Sequence, residues 1–122
     1  MADNKQYITH TKDGGAIQIS EDVIATIVLQ SLNEIEGYAG TTVKPGADIV
    51  ELIGKKNWGK GVKVTIAEDD SLTIDCNVII LYGHSVVTVA SAIQETVAGA
   101  VRSMAGVASV HVNVNVCGIV RQ

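Results

Sequence analysis

The sequence predicts an α/β domain of the α+β type: a two-layer sandwich with two long helices packed on one face of a small, mostly antiparallel or mixed sheet. Three observations predict it: two amphipathic helical stretches, several short runs of β-branched residues, and no repeat or linker within the 122 residues. Hydrophobic residues make up 47% of the chain, but phenylalanine is absent and aromatic residues reach only 3%. We therefore expect a core of valine, isoleucine, leucine and alanine.

The first part of the chain predicts a strand and a helix after a flexible start. Residues 1–14 are polar and are expected to be flexible, and Asp13-Gly14-Gly15 is typical of a turn. A short strand at 16–19 leads to Ser20, a good N-cap for a helix whose apolar residues recur at helical spacing until Gly37. Shorter elements are expected to follow, namely a small strand at 38–43, one or two helical turns at 47–53 and a loop at 54–61.

The second part of the chain predicts a hairpin, the second long helix and a last strand. The hairpin joins strands at 62–67 and 72–82 through an acidic turn. The helix covers 86–104, with Met104 at the end of its apolar stripe and a glycine after it, and the last strand covers 107–117. The domain boundaries that follow are a flexible segment at 1–14, a single domain at 15–118 and a tail at 119–122.

Charge and cysteine content restrict the class of protein. A formal net charge of −4 argues against binding of nucleic acid by the whole surface. The polar beginning does not resemble a signal peptide, and no apolar run reaches the roughly 18 residues that a membrane span requires. Two cysteines without a Cys-x-x-Cys pattern favour the cytoplasm, and Cys76 is predicted to be a small buried apolar residue.

Alternating polar residues on the predicted strands form a candidate interaction surface. In the run VHVNVNVC, residues 110–117, the valines point to one face of a strand and the polar side chains to the other. If the strands of the predicted hairpin share a sheet with this run, their polar residues lie on the same surface. The candidate interaction residues there are Lys63, Asp75, Asn77, His111, Asn113 and Asn115.

Three interpretations of this polar surface are open: a solvated sheet face, a docking surface for another protein or a second copy, and a metal or catalytic site. The pattern favours the first, because asparagine is a poor zinc ligand and neither Cys-x-x-Cys nor His-Glu-x-x-His occurs. The spacing yields no set of nucleophile, base and orienting residue. We therefore assign no catalytic, cofactor-binding or metal-binding residue and expect no cofactor.

A basic loop around the single tryptophan is the chemically most distinctive stretch. Lysine side chains around an aromatic ring can hold an anionic surface such as phospholipid headgroups or nucleic acid. A KH-like module would need a Gly-x-x-Gly loop here, but Asn57 stands where the second glycine should be. The simplest interpretation is a solvated loop whose tryptophan folds onto the core. The candidate interaction residues of this loop are Lys55, Lys56, Trp58, Lys60 and Lys63.

Several short motifs, taken in their order along the chain, resemble one protein family. They are the opening strand and helix at 16–25, Glu36-Gly37-Tyr38-Ala39-Gly40, Lys56-Asn57-Trp58-Gly59-Lys60-Gly61-Val62-Lys63-Val64, Tyr82-Gly83, Ile93-Gln94-Glu95 and Val112-Asn113-Val114. The chain thus resembles the alkaline shock protein family of Gram-positive bacteria, also called the envelope stress response family, over residues 15–118. It departs at Trp58, where a smaller apolar residue is usual, and at Val87, where proline is common.

The resemblance implies a non-enzymatic protein-interaction module in cell-envelope homeostasis and the stress response. It implies self-association into a homo-oligomer and recruitment to a membrane-anchoring or lipid-metabolism protein. A cytoplasmic location follows, peripheral at the inner face of the membrane through such a partner, with no transmembrane segment. The alternative is a nucleic-acid-binding KH-like module that uses the loop at 55–63, although nucleic acid is not the expected partner.

Overall fold

The computed structural model describes residues 6–42 and 61–121, which form six strands and two helices. The predicted helical turns at 47–53 and most of the loop at 54–61 lie outside the described residues. In chain order the elements are β1 (Tyr7–Lys12), β2 (Gly15–Ser20), α1 (Glu21–Leu32), β3 (Tyr38–Thr41), β4 (Val62–Ile66), β5 (Leu72–Leu81), α2 (Val86–Ala105) and β6 (Val110–Val120).

Strand β5 is the central strand of the larger sheet. One of its edges pairs antiparallel with β4 along the first half and with β3 along the second half. Its other edge pairs parallel with β6 along the whole strand, with α2 as the connection between the two. The alternating residues Ile74, Val78 and Ile80 are fully buried and belong to the core that α1 and α2 complete.

Both helices begin at the serine that precedes them. The hydroxyl of Ser20 accepts a hydrogen bond from the Val23 N–H at 3.4 Å, and that of Ser85 accepts one from the Thr88 N–H at 3.3 Å. Gly106, with φ of 70°, ends α2 in the left-handed conformation that glycine adopts without strain. Neither helix of the described chain combines the length and hydropathy needed to cross a membrane.

The hairpin of β1 and β2 forms a second, separate sheet. Lys12 pairs with Gly15 beside the turn, and Tyr7 pairs with Ser20 at the open end. Ile8 is buried, and His10 Nε2 lies 2.9 Å from the carbonyl oxygen of Ala105 at the end of α2. All of β1 thus lies within residues 1–14, the segment that was expected to be flexible.

The predicted two-layer arrangement of two long helices on one small sheet is wrong. Helix α1 has 12 residues against 20 in α2, and the described chain has two sheets, with strands of 10 and 11 residues in the larger one. Helix α1 ends well before Gly37 because the chain tightens into turns: the N–H groups of Glu34 and Ile35 bond to the carbonyls of Ser31 and Leu32.

The predicted aliphatic core is confirmed, with Met104 as an exception. Buried valine, isoleucine, leucine and alanine side chains dominate the core, and Cys76 is buried among them as predicted. Met104, placed in the apolar stripe of α2, is instead 70% exposed because it lies on the last turn, where it lines an open groove between the two helices.

Candidate functional site

The strand register brings the predicted polar rows onto one face of the larger sheet. Asp75 of β5 lies opposite Lys63 on β4 and opposite Asn113 on β6. One row further along β5, Asn77 lies opposite Asn115 of β6. His111, which is exposed, lies opposite Thr73. We call this set of six residues the polar face: Lys63, Asp75, Asn77, His111, Asn113 and Asn115.

Side chains of the polar face bond to each other across β5 and β6. Asn113 Nδ2 donates to Asp75 Oδ1 at 3.0 Å, and Asn115 Nδ2 donates to Asn77 Oδ1 at 3.0 Å. These two hydrogen bonds lie two residues apart along each strand, and each asparagine of β6 is held in place by its partner on β5. The side chains of Asn113 and Asn115 are thus ordered on this face of the sheet.

The hydrogen bond between Asn115 and Asn77 is partly buried. Asn77 lies at the corner where β5 changes partner from β4 to β3. Its backbone N–H donates to the Gly61 carbonyl at 2.8 Å, and its carbonyl accepts from the Thr42 N–H at 2.9 Å. Asn77 is fully buried, and among the residues that the structure describes its Nδ2 has no hydrogen-bond partner. The prediction of a solvated row is therefore wrong at this residue.

The corner requires glycine at position 61. Gly61 has φ of 87°, and a Cβ there would lie 2.7 Å from the carbonyl oxygen of Thr42. These two segments thus cross close to each other beside the backbone of Asn77. The arrangement makes Asn115 the partner that the buried amide oxygen of Asn77 depends on.

The opposite face of β5 holds the buried thiol of Cys76. Burial, assisted by the neighbouring Asp75 carboxylate, raises the pKa of Cys76 to about 12. The thiol is therefore protonated at neutral pH and is a packing group, not a nucleophile. Cys117, in contrast, is half-buried on β6, with its Sγ 3.6 Å from the Asn115 carbonyl oxygen.

In the part of the chain that the structure describes, the polar face meets a cavity at His111. Among residues 6–42 and 61–121, no three histidine, cysteine, aspartate or glutamate side chains are placed to hold a metal ion. A shallow cleft of about 300 Å³ lies beside His111 and is lined by Gln94, Glu95, Ala98, Arg102, Val110 and Val112. The arrangement supplies ordered amide and carboxylate groups on a surface, which suits contact with another macromolecule.

The basic loop lies almost entirely outside the described residues. Lys55, Lys56, Trp58 and Lys60 are not described, so their predicted role in interaction stays a prediction. Lys63, the last lysine of the stretch, lies on β4 in the Asp75 row and is half-buried. The structure therefore connects the end of the basic stretch with the polar face.

The sequence analysis missed a hydrogen bond at the outer edge of β6. Gln94 Nε2, on α2, donates to the carbonyl oxygen of Val112 at 3.1 Å. Gln94 follows the buried Ile93 in the sequence, and this position in the helix does not predict that its side chain lies next to the edge of β6. A groove of about 530 Å³ beside Val23 and Met104 was also not predicted, since Met104 was assigned to the apolar stripe of α2.

Comparison with known proteins gives one family and several relatives. The model of the alkaline shock protein 23 family, described as having a cell envelope-related function, matches residues 9–121. Relatives include the uncharacterized protein YqhY of Bacillus subtilis, 33% identical over 105 residues, which cover 86% of this chain and 77% of that protein. Two uncharacterized proteins of Streptococcus pyogenes also match. Spy1614 is 37% identical over 90% of this chain and 91% of that protein. Spy1535 is 39% identical over 88% of this chain and 81% of that protein. No solved structure gives a significant match.

Proposed function

The chain belongs to this alkaline shock protein family, whose function is related to the cell envelope, and from this membership we propose that it is a non-enzymatic protein-interaction module in cell-envelope homeostasis and the stress response. It acts by self-association and by recruitment to a membrane-anchoring or lipid-metabolism protein. Its location is then cytoplasmic, peripheral at the inner face of the membrane through that partner. The family membership also confirms the resemblance to alkaline shock proteins.

The observation that carries the proposal is the pairing of polar side chains on the polar face. In an enzyme, reactive groups converge on a substrate and are held by supporting residues around a pocket. Here Asn113 bonds to Asp75 and Asn115 bonds to Asn77, so the exposed side chains of Asn113 and Asn115 are each held by a residue of the neighbouring strand. An ordered surface of this kind offers hydrogen-bond donors and acceptors to a protein partner without loss of side-chain freedom on binding.

The test is complementation in a strain that lacks the gene. The wild-type chain should restore growth under cell-wall stress, and a chain with both His111→Ala and Asn113→Ala should not. Both side chains are exposed, so the double variant keeps the core and should fold. A matched control is Gln18→Ala on β2, exposed in the other sheet, which should restore growth fully.

Two results would argue against the proposal. Full growth with the folded double variant would show that the polar face is not the working surface. Complete loss of growth from one single exposed substitution, with all neighbouring substitutions harmless, would be the pattern of a catalytic residue.

A further inference from the structure

Strand β6 turns one row of its backbone groups away from the sheet. The N–H of Leu72 donates to the carbonyl of Ser109 at 2.9 Å, and the register pairs Leu72 with Val110. In a parallel ladder, the residue flanked by two bonding neighbours directs its own N–H and C=O to the other side. Along β6 this places the backbone groups of four valines on the outer edge, namely those of Val110, Val112, Val114 and Val116.

Part of this edge is already closed within the chain. The Val112 carbonyl accepts from Gln94 at 3.1 Å, and a register shift after Val116 ends the regular pairing before Gly118. Between these two points, the backbone groups of Val114 and Val116 have no hydrogen-bond partner in the part of the chain that the structure describes. An unpaired row of this kind is a template for a further strand.

The edge lacks the charged residues and prolines that often prevent pairing between copies. From 110 to 120 it carries no lysine, arginine, aspartate, glutamate or proline. Its side chains alternate valine with histidine, asparagine and cysteine, so an antiparallel second copy would meet valine with valine and polar with polar in any permitted register. Val114 and Val116 are only partly buried against the core, and a second strand would cover them further.

We propose that β6 pairs antiparallel with β6 of a second copy, with Val114 opposite Val116 of that copy, around a two-fold axis at Asn115. This register uses both open residues and leaves the Gln94 bond to Val112 intact. The two larger sheets then form one continuous sheet across an isologous dimer. The inference rests on the self-association in the proposed function and names the surface that performs it.

A disulfide trap tests the register. In this pairing Asn115 lies directly opposite Asn115 of the second copy in a non-hydrogen-bonded pair. The two Cα atoms of such a pair lie about 4.5 Å apart, within the range that a disulfide can span. Asn115→Cys in a Cys117→Ser background should therefore form a crosslinked dimer on mild oxidation. The matched control is Asn113→Cys in the same background. Position 113 of one copy is displaced by about four residues from position 113 of the other, or about 13 Å along the strand. Equal crosslinking of both variants, or of neither when circular dichroism shows both to be folded, would overturn the register.

Light scattering after size exclusion tests the edge itself. The wild-type chain should pass from one to two times its 12.8 kDa with rising concentration. Val114→Pro removes an outward N–H without touching the bonds to β5 and should weaken the dimer by about tenfold or more. Val116→Pro should do the same, and circular dichroism would show that each variant is folded.

The two possible failures are distinguishable. A wild-type dimer that both folded proline variants leave unchanged would overturn the β6 edge and keep self-association. A wild-type monomer at all concentrations would overturn self-association and this inference together, and the complementation result would then decide whether an unlike partner uses the polar face.

Discussion

Removal of the Asn115 side chain should cost more stability than removal of the neighbouring Asn113 side chain. Asn115→Ala leaves the oxygen of a fully buried amide, Asn77, without its hydrogen-bond donor, and Nδ2 of Asn77 has no partner within residues 6–42 and 61–121 that could compensate. An orphaned buried acceptor costs about 1–3 kcal/mol. Asn113→Ala exposes the Asp75 carboxylate to water, which should cost less than about 1 kcal/mol.

Urea unfolding followed by circular dichroism measures the difference. With a slope of about 1–3 kcal/mol per molar urea, a loss of 2 kcal/mol shifts the midpoint by about 1 M. The comparison is matched, because both substitutions change an exposed asparagine on the same face of β6 to alanine. Both variants are compared at a protein concentration at which the chain is monomeric, so that pairing of copies at the β6 edge does not contribute.

A double variant separates burial from a local effect at position 115. When Asn77→Leu is combined with Asn115→Ala, the buried polar pair is replaced by an apolar group of similar shape, which should recover most of the lost stability. Equal costs for Asn115→Ala and Asn113→Ala, within about 0.5 kcal/mol, would refute the reasoning. So would a double variant less stable than Asn115→Ala alone.

Three further predictions concern single positions. Gly37→Ala should destabilise the fold by about 2 kcal/mol or more, since φ is 93° and the added Cβ would lie 2.8 Å from Val89 Cγ2. Gly99→Ala, within α2, should instead raise the free energy of unfolding by about 0.5–1 kcal/mol, because an added Cβ there meets no neighbouring atom within 4 Å. Ser85→Ala removes the N-cap of α2 and should lower the free energy of unfolding by about 1 kcal/mol. Burial raises the pKa of Cys76 from 9.0 to about 12. The resulting contribution to the free energy of unfolding is fully present below pH 9 and is lost as the pH rises toward 12. Cys76→Ala should therefore flatten the alkaline part of a plot of unfolding free energy against pH.

Each of these predictions has an outcome that contradicts it. Calorimetry that places the two alanine variants of Gly37 and Gly99 on the same side of the wild type would contradict the φ argument. An unchanged unfolding free energy for Ser85→Ala would mean that water satisfies the helix start equally well. Identical alkaline slopes for wild type and Cys76→Ala would show that the thiol does not titrate differently in the folded chain.

Elements with strong local signals were predictable from the sequence. The hairpin of β4 and β5 follows from two β-branched runs around an acidic turn, and α2 is predicted from 86 to 104 and observed as Val86–Ala105. The common face of Asp75 and Asn113 followed from strand alternation alone, because the period of two fixes the face once strands share a sheet. The role of these residues in interaction remains a prediction.

Features that depend on distant partners were not predictable. Strand β1 has a polar composition and buries only Ile8, so its pairing with β2 left no clear periodicity. Nothing in the run of valines indicates that β6 pairs parallel with β5, since alternation carries no information about direction. Asn77 is buried at the point where β5 changes partner from β4 to β3, a tertiary feature that a polar residue in a polar row does not reveal.

Amide hydrogen exchange at two protein concentrations tests most directly whether the chain acts through contact between copies. At low concentration the N–H groups of Val114 and Val116 should exchange rapidly, while those of Asn113 and Asn115, which face β5, should be protected. At high concentration the account predicts that the two valine amides become protected while the asparagine amides change little. Valine amides that exchange equally fast at both concentrations, in a chain that light scattering shows to be monomeric throughout, would contradict it.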